Sequence, residues 1–321
     1  MHFIFGMEFL YYLIGIIVLI IAAEVLFDKD HPKRFTSGLF WLIFGVTFII
    51  GDKVPASVIG YLVLVMVALT ALGQVKNGGK ESSTKEQRVK MADKLNNKIF
   101  IPALMIPVFT VIGTLLYGHI KFGSVNFVDP TQITLISLGI AAILAFFGAM
   151  WITKAKWSVP VQEGSRLLQS VGWAVILPQL LATLGGIFNA AGVGKVVSGI
   201  VSNYLPTSNS FVAVFAYCFG MMLFTMIMGN AFAAFAVITA GIGIPFIVHM
   251  HAGNPGIMAA LGMFAGYSGT LMTPMAANFN IVPAMLFGLE DQNAVVKKQI
   301  PTGLAIFVAD TLLMYFLVYH F

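Results

Sequence analysis

The stretch Thr225-Met226-Ile227-Met228-Gly229-Asn230-Ala231-Phe232 lies in the middle of residues 211–249, an apolar run without a charged residue. A membrane span needs about 20 apolar residues, and this run is nearly twice that length. Gly229-Asn230 is a turn signal. Two readings fit. Residues 211–249 form either two full spans joined at Gly229-Asn230 or a re-entrant hairpin whose tip stops inside the membrane. Both return the chain to the same side, so charge does not separate them directly. A tight turn at the membrane surface usually exposes some charge, however, and none lies between Lys195 and Glu290. The hairpin is therefore favoured, with two antiparallel arms of about 17 residues, each roughly 25 Å long at 1.5 Å per residue, and Gly229-Asn230 near the midplane.

A second interruption follows. Residues 257–272 carry Gly262 and Gly266, a small-xxx-small spacing that lets helices approach closely. Then come Thr273-Pro274-Met275-Ala276-Ala277-Asn278-Phe279-Asn280 and a short apolar segment, 281–289. Pro274 removes a backbone donor, and the asparagines bring amides to membrane depth. Irregular backbone is tolerated there only where protein buries it or it lines a watery cavity. An earlier break, Asn189-Ala190-Ala191-Gly192-Val193-Gly194, precedes an amphipathic stretch at 195–204. Paired interruptions in hydrophobic segments are the sequence pointer to a secondary-transporter binding site, where broken helix ends aim positive N-termini at anions and freed carbonyls at cations.

The whole chain agrees with a membrane setting. Of 321 residues 59% are hydrophobic and 10% charged, against about 45–50% and 25% in soluble domains. Too few charges remain to cover a soluble surface, so soluble enzymes, nucleic-acid readers and disulfide-stapled domains are excluded. The lone Cys218 allows no intrachain disulfide. Further spans are predicted at 7–27, 35–50, 54–73, 99–117, 131–152, 171–190 and 301–321, with an interfacial helix at 163–169. The fold expected is all-α and polytopic: about eight full spans plus a re-entrant hairpin and a broken helix, or ten spans if the hairpin crosses. Composition divides the chain into an N-terminal three-helix segment (1–73), a basic loop (74–98) and a transporter unit (99–321).

The positive-inside rule orients the chain. With loop 74–98 in the cytoplasm, 15 of the 18 Lys and Arg residues are cytoplasmic, and Lys53, Lys121 and Lys195 are not. Both termini are then extracytoplasmic.

The order of elements resembles the ion-transporter superfamily, which includes divalent-anion/sodium symporters and gluconate permeases. There a broken span is followed by a re-entrant hairpin with an Asn-containing tip, a second broken span with a Thr-Pro-Asn type loop, and a final helix. Here the counterparts are 171–205, 211–249, 257–289 and 301–321. Over essentially its whole length, notably at Gln162-Glu163-Gly164-Ser165-Arg166 and Gly266-Tyr267-Ser268-Gly269-Thr270, the chain is more closely similar to the domain of unknown function 979 family. That resemblance implies one subunit of a 5-oxoproline transporter of a bacterial inner membrane, with a second small membrane subunit beside it. The superfamily carries two inverted copies of the unit. This sequence has one, so the resemblance implies a hetero-oligomer in which the partner supplies the oppositely oriented half, docking at the face around Gly262 and Gly266 and at the hairpin tip.

Gly229 and Asn230 at the tip, with Thr273, Asn278 and Asn280 in the loop, are the candidate substrate- or ion-binding residues. A turn Asn satisfying its own backbone, or an interhelical amide, is the bland reading of each. Ser268 and Thr270 are expected to bond back to their own helix. Asp310, mid-span in the last helix, is a candidate for coupling. Glu24 is expected to reach the cytoplasmic interface, as is Arg166. His249 and His251 lack a third ligand, so no metal site is expected. No nucleophile–base pair, phosphate-binding loop or cofactor motif is present, which points away from an enzyme. Na+ or H+ as coupling ion is the only cofactor anticipated, and a small organic anion, the bilayer and the second subunit are the only partners; no nucleic acid is. The rival reading is a non-transporting structural subunit that assembles with a transport-competent partner.

Overall fold

The structure is a computed structural model and describes residues 3–78, 83–122, 125–277 and 279–320. Contacts divide the chain into two compact units, Met1–Gly172 and Trp173–Phe321. The division follows packing rather than the breaks in composition, since helices on both sides of the basic loop belong to the first unit.

The first unit runs β1 (Phe3–Phe5), α1 (Met7–Phe27), α2 (Arg34–Ile50), α3 (Ala56–Ala71), α4 (Lys85–Leu95), α5 (Ile101–Leu116), β2 (Lys121–Phe122), β3 (Val125–Val128), α6 (Ile133–Thr153) and α7 (Ser158–Val171). Small residues set its helix pairs. A Cβ built on Gly15 would lie 3.0 Å from the Gly45 carbonyl, and one on Gly45 would lie 3.1 Å from the Gly15 carbonyl. The α1 and α2 backbones therefore nearly touch, as small-residue packing in lipid requires. The three strands form a small sheet in the order β1-β3-β2, with β1 parallel to β3. Sequence reading does not anticipate this sheet: a three-residue strand that pairs across more than 100 positions leaves no local periodicity.

The second unit continues through α8 (Leu177–Ala190), α9 (Val193–Tyr204), α10 (Ser210–Met228), α11 (Ala231–Ile238), a π-helical run Thr239–His249, α12 (Pro255–Leu271), α13 (Ile281–Leu286) and α14 (Ala294–Leu317). Helix α10 is its hub: Tyr217, Cys218, Met221, Met222 and Met228 are buried between α12, α14 and the π-helical run. The widening of that run has a local cause. Pro245 has no N–H to give to the turn before it, and the helix closes on longer bonds such as Met250 N–H to the Pro245 carbonyl, 3.1 Å.

Seven helical segments among the described residues are long and apolar enough to cross a membrane, and α2 and α3 are shorter apolar helices. The protein is an all-α, membrane-embedded chain. Both arms of the 211–249 run are among the seven, at 19 residues each, slightly longer than the arms expected from sequence.

Candidate functional site

The site forms where two helix breaks in the second unit meet. At the first, Gly229 ends α10 in the left-handed conformation (φ +67°) and its N–H donates to the Thr225 carbonyl at 2.7 Å. Glycine is the residue that takes this conformation without penalty. Asn230 then opens α11: its Oδ1 accepts the Phe232 N–H at 2.8 Å, an N-cap. The joint is thus a C-cap and an N-cap back to back.

The second break follows α12. Asn280 is fully buried, and its Nδ2 donates to the carbonyls of Thr270 (2.8 Å) and Thr273 (2.7 Å). One amide thereby satisfies two carbonyls that the broken helix leaves without partners. Thr273 reaches across to the hairpin, donating from Oγ1 to the Met226 carbonyl at 2.8 Å, while the same oxygen accepts the Met275 N–H at 3.2 Å. A Cβ on Gly229 would strike the Met275 carbonyl. Tip and loop therefore share one place in the unit.

Between them lies a cavity of about 230 Å³. Its walls are the tip residues Gly229 to Phe232, Tyr267 and Thr270 of α12, Ala276, Ala277 and Phe279 of the loop, and Pro178 and Leu181 of α8. The N-terminal end of α11 opens onto it, carrying the positive end of a helix dipole. Of the residues expected at a site, Gly229 and Asn230 line the cavity. Thr273 and Asn280 stand behind it as struts, and Asn278 lies outside the described residues. Tyr267, Phe232 and the α8 residues escape a sequence reading. The usable signal was the spacing of Tyr267 and Thr270, one helical turn apart just before the break, which puts both on one face. Thr270 also bonds back to its own helix, Oγ1 to the Tyr267 carbonyl at 2.6 Å, and Ser268 does the same to Ala265.

Residues 8–319 match the model of a family described as Protein of unknown function (DUF979). The chain belongs to that family. No curated protein matches it, and no solved structure does.

The remaining candidates of this DUF979 chain lie apart from the cavity. Asp310 is buried on α14 beside Tyr217 and Cys218 of α10, and its Oδ2 has no hydrogen-bond partner. Thr225 Oγ1 and Asn280 Oδ1 are likewise buried without partners. Glu24 does not reach outward as expected. It bonds Ser165 of α7, and its Oε2 is buried, because α7 packs against the end of α1 and covers it. Arg166 is taken by Glu163, 2.7 Å away. A ring nitrogen of His251 meets the Thr207 carbonyl at 2.7 Å. The Gly262 and Gly266 face, expected to receive a partner, is filled from within. Gly262 lies against the Tyr217 hydroxyl, and Gly266 against Ala231 and Met221.

Proposed function

We propose that this chain is a subunit of a secondary transporter for a small organic anion, with 5-oxoproline as the substrate that the sequence resemblance implies. One observation carries the reading: a cavity of about 230 Å³ between two helix breaks, with the α11 N-terminus and the Asn230 side chain on its wall. Its size is below the roughly 300–1,000 Å³ of sites for drug-sized ligands and suits a metabolite carboxylate. Broken helices that present a dipole end to a substrate are the arrangement that secondary transporters use. In this reading Asp310 serves coupling to Na+ or H+, 211–249 is re-entrant, and a second membrane subunit contributes the inverted half. Loop 74–98 faces the cytoplasm of a bacterial cell, and both termini face out.

The test is uptake of radiolabelled 5-oxoproline into proteoliposomes, with the chain alone and with the membrane protein encoded beside it. Uptake that needs both and falls strongly with Asn230→Ala supports the reading. Unchanged uptake by Asn230→Ala refutes the site.

A second reading is favoured by a different observation. The side chains of Thr273 and Asn280 are engaged in holding the breaks together. A structural subunit that orients a transport-competent partner needs only that. Uptake by the partner alone, merely raised by this chain, would decide for it.

A further inference from the structure

We infer that the first unit holds a binding site for the phosphate of an anionic lipid, in an open depression where α1 ends, α2 begins and the chain leaves α3. The depression has a volume of about 650 Å³, and Lys29, His31, Lys33, Arg34, Phe35 and Gln74 are among its lining residues. Among the described residues, no carboxylate lines it. Lys29, Lys33 and Arg34 form no ion pair with a carboxylate among the described residues. Asp28 and Asp30 share the loop, where Asp28 Oδ1 accepts the Asp30 N–H at 3.1 Å.

Two of the cations, Lys33 and Arg34, are held in place. Lys33 Nζ donates to Gln74 Oε1 at 2.8 Å, and the Gln74 carbonyl accepts from Thr36 Oγ1 at 2.8 Å. The Arg34 guanidinium lies 4.5 Å over the Phe35 ring, a stacking that leaves its N–H edge for an anion. Below them, the buried His31 accepts the Lys33 N–H on Nδ1 at 3.0 Å and meets Gln169 Oε1 through Nε2 at 3.1 Å. The first turn of α2 has no side-chain cap, so its N–H groups add to the positive field. Two held cations, a third beside them at Lys29 and an uncapped helix start, with no opposing carboxylate on the wall among the described residues, match a phosphate.

The source of that phosphate follows from the rim. Phe27, Phe35 and Leu72 are 83%, 65% and 72% exposed at the same helix ends. In a membrane-embedded chain, exposed apolar side chains at span ends face lipid just beneath the headgroups, to which basic residues beside them are drawn. The rim therefore suits acyl chains and glycerol, which a free phosphate lacks.

The test is native mass spectrometry of the full chain in an uncharged detergent. The probes are dioleoylphosphatidylglycerol, dioleoylphosphatidylcholine and inorganic phosphate. One phosphatidylglycerol should be retained in preference to phosphatidylcholine. The double variant Lys29→Gln/Arg34→Gln should bind it about 25-fold more weakly, since each basic residue near an anionic lipid contributes a several-fold factor. The control Lys85→Gln/Lys90→Gln removes the same charge from α4 and should bind as the parent does. Equal retention of both lipids, no loss in the first variant, or an equal loss in the control overturns the proposal. So does displacement of the lipid by inorganic phosphate, which would assign the depression to a soluble anion. If the double variant does not fold, Lys29→Gln read against Lys29→Arg decides, because Lys29 is exposed and only the charge-keeping change should bind normally.

Discussion

The Thr273 hydroxyl donates a 2.8 Å hydrogen bond to the carbonyl of Met226, joining the loop after α12 to the last turn of α10. Thr273 is almost wholly buried, so no water replaces the bond when it is lost. Thr273→Val keeps the shape and leaves the Met226 carbonyl and the Met275 N–H without that partner. A buried group left unsatisfied costs about 1–3 kcal/mol. The variant is expected to lower the unfolding midpoint in detergent, and Thr273→Ser, which restores the hydroxyl, should recover most of the loss. Equal midpoints for Val and parent would remove Thr273 as a strut.

Gly229 and Gly288 separate backbone strain from crowding. Both have positive φ, +67° and +62°. A Cβ on Gly229 would meet the Met275 carbonyl, whereas one on Gly288 would meet nothing within 4 Å. Gly288→Ala is expected to cost only the left-handed conformation, roughly 1–2 kcal/mol. Gly229→Ala adds overpacking, about 1–3 kcal/mol more. Guanidinium or thermal melts of the two variants should therefore differ clearly, with Gly229→Ala the worse.

The contact between Gly262 and Tyr217 predicts non-additivity. Tyr217 Oη bonds Thr239 Oγ1 at 2.9 Å and lies where a Gly262 Cβ would be. Gly262→Ala should destabilise by about 1–3 kcal/mol through overpacking. Tyr217→Phe should cost about 0.5–1.5 kcal/mol for the lost bond. Combined, they should cost less than their sum, because the phenyl ring lacks the nearest of the atoms that the new methyl meets, although Cε1 and Cζ, 2.7 Å away, remain. A strictly additive double-mutant cycle would mean that the Tyr217 hydroxyl is not what the new methyl displaces.

The two breaks were legible because Gly, Pro and Asn punctuate apolar sequence unambiguously: Gly229-Asn230 and Thr273–Asn280 read as interruptions from residue type and position alone. The limits of α1, Met7–Phe27, were equally plain. What the pattern could not give was partnership. Asn230 reads as a ligand or a cap with equal ease, and only geometry reveals Phe232 N–H on its oxygen. Gly262 and Gly266 signal close packing but do not name the surface that closes on them, which is the chain's own hairpin. Glu24 sits near the end of a span, where outward reach is the default, and the cover supplied by α7 arises from a contact distant in sequence. The short sheet was hidden for the same reason.

Asn280 offers the sharpest test of strut against ligand. Its Nδ2 donates to the Thr270 and Thr273 carbonyls, while its Oδ1 is buried without a partner. If the amide acts as a donor that closes the end of α12, Asn280→Asp is the most damaging exchange of similar size. It removes both donated bonds and turns carboxylate oxygens toward two carbonyls at a fully buried position. The expected loss is about 3–5 kcal/mol, the range for an uncompensated buried charge. Asn280→Ala, which leaves two carbonyls unpaired but adds no charge, should be milder. If Oδ1 instead coordinates a cation, the order reverses: Asp binds the cation more tightly, and only Ala is harmful. Unfolding midpoints of the two variants, measured with and without Na+ in the buffer, decide. A strut requires Asp to be worse than Ala under both conditions.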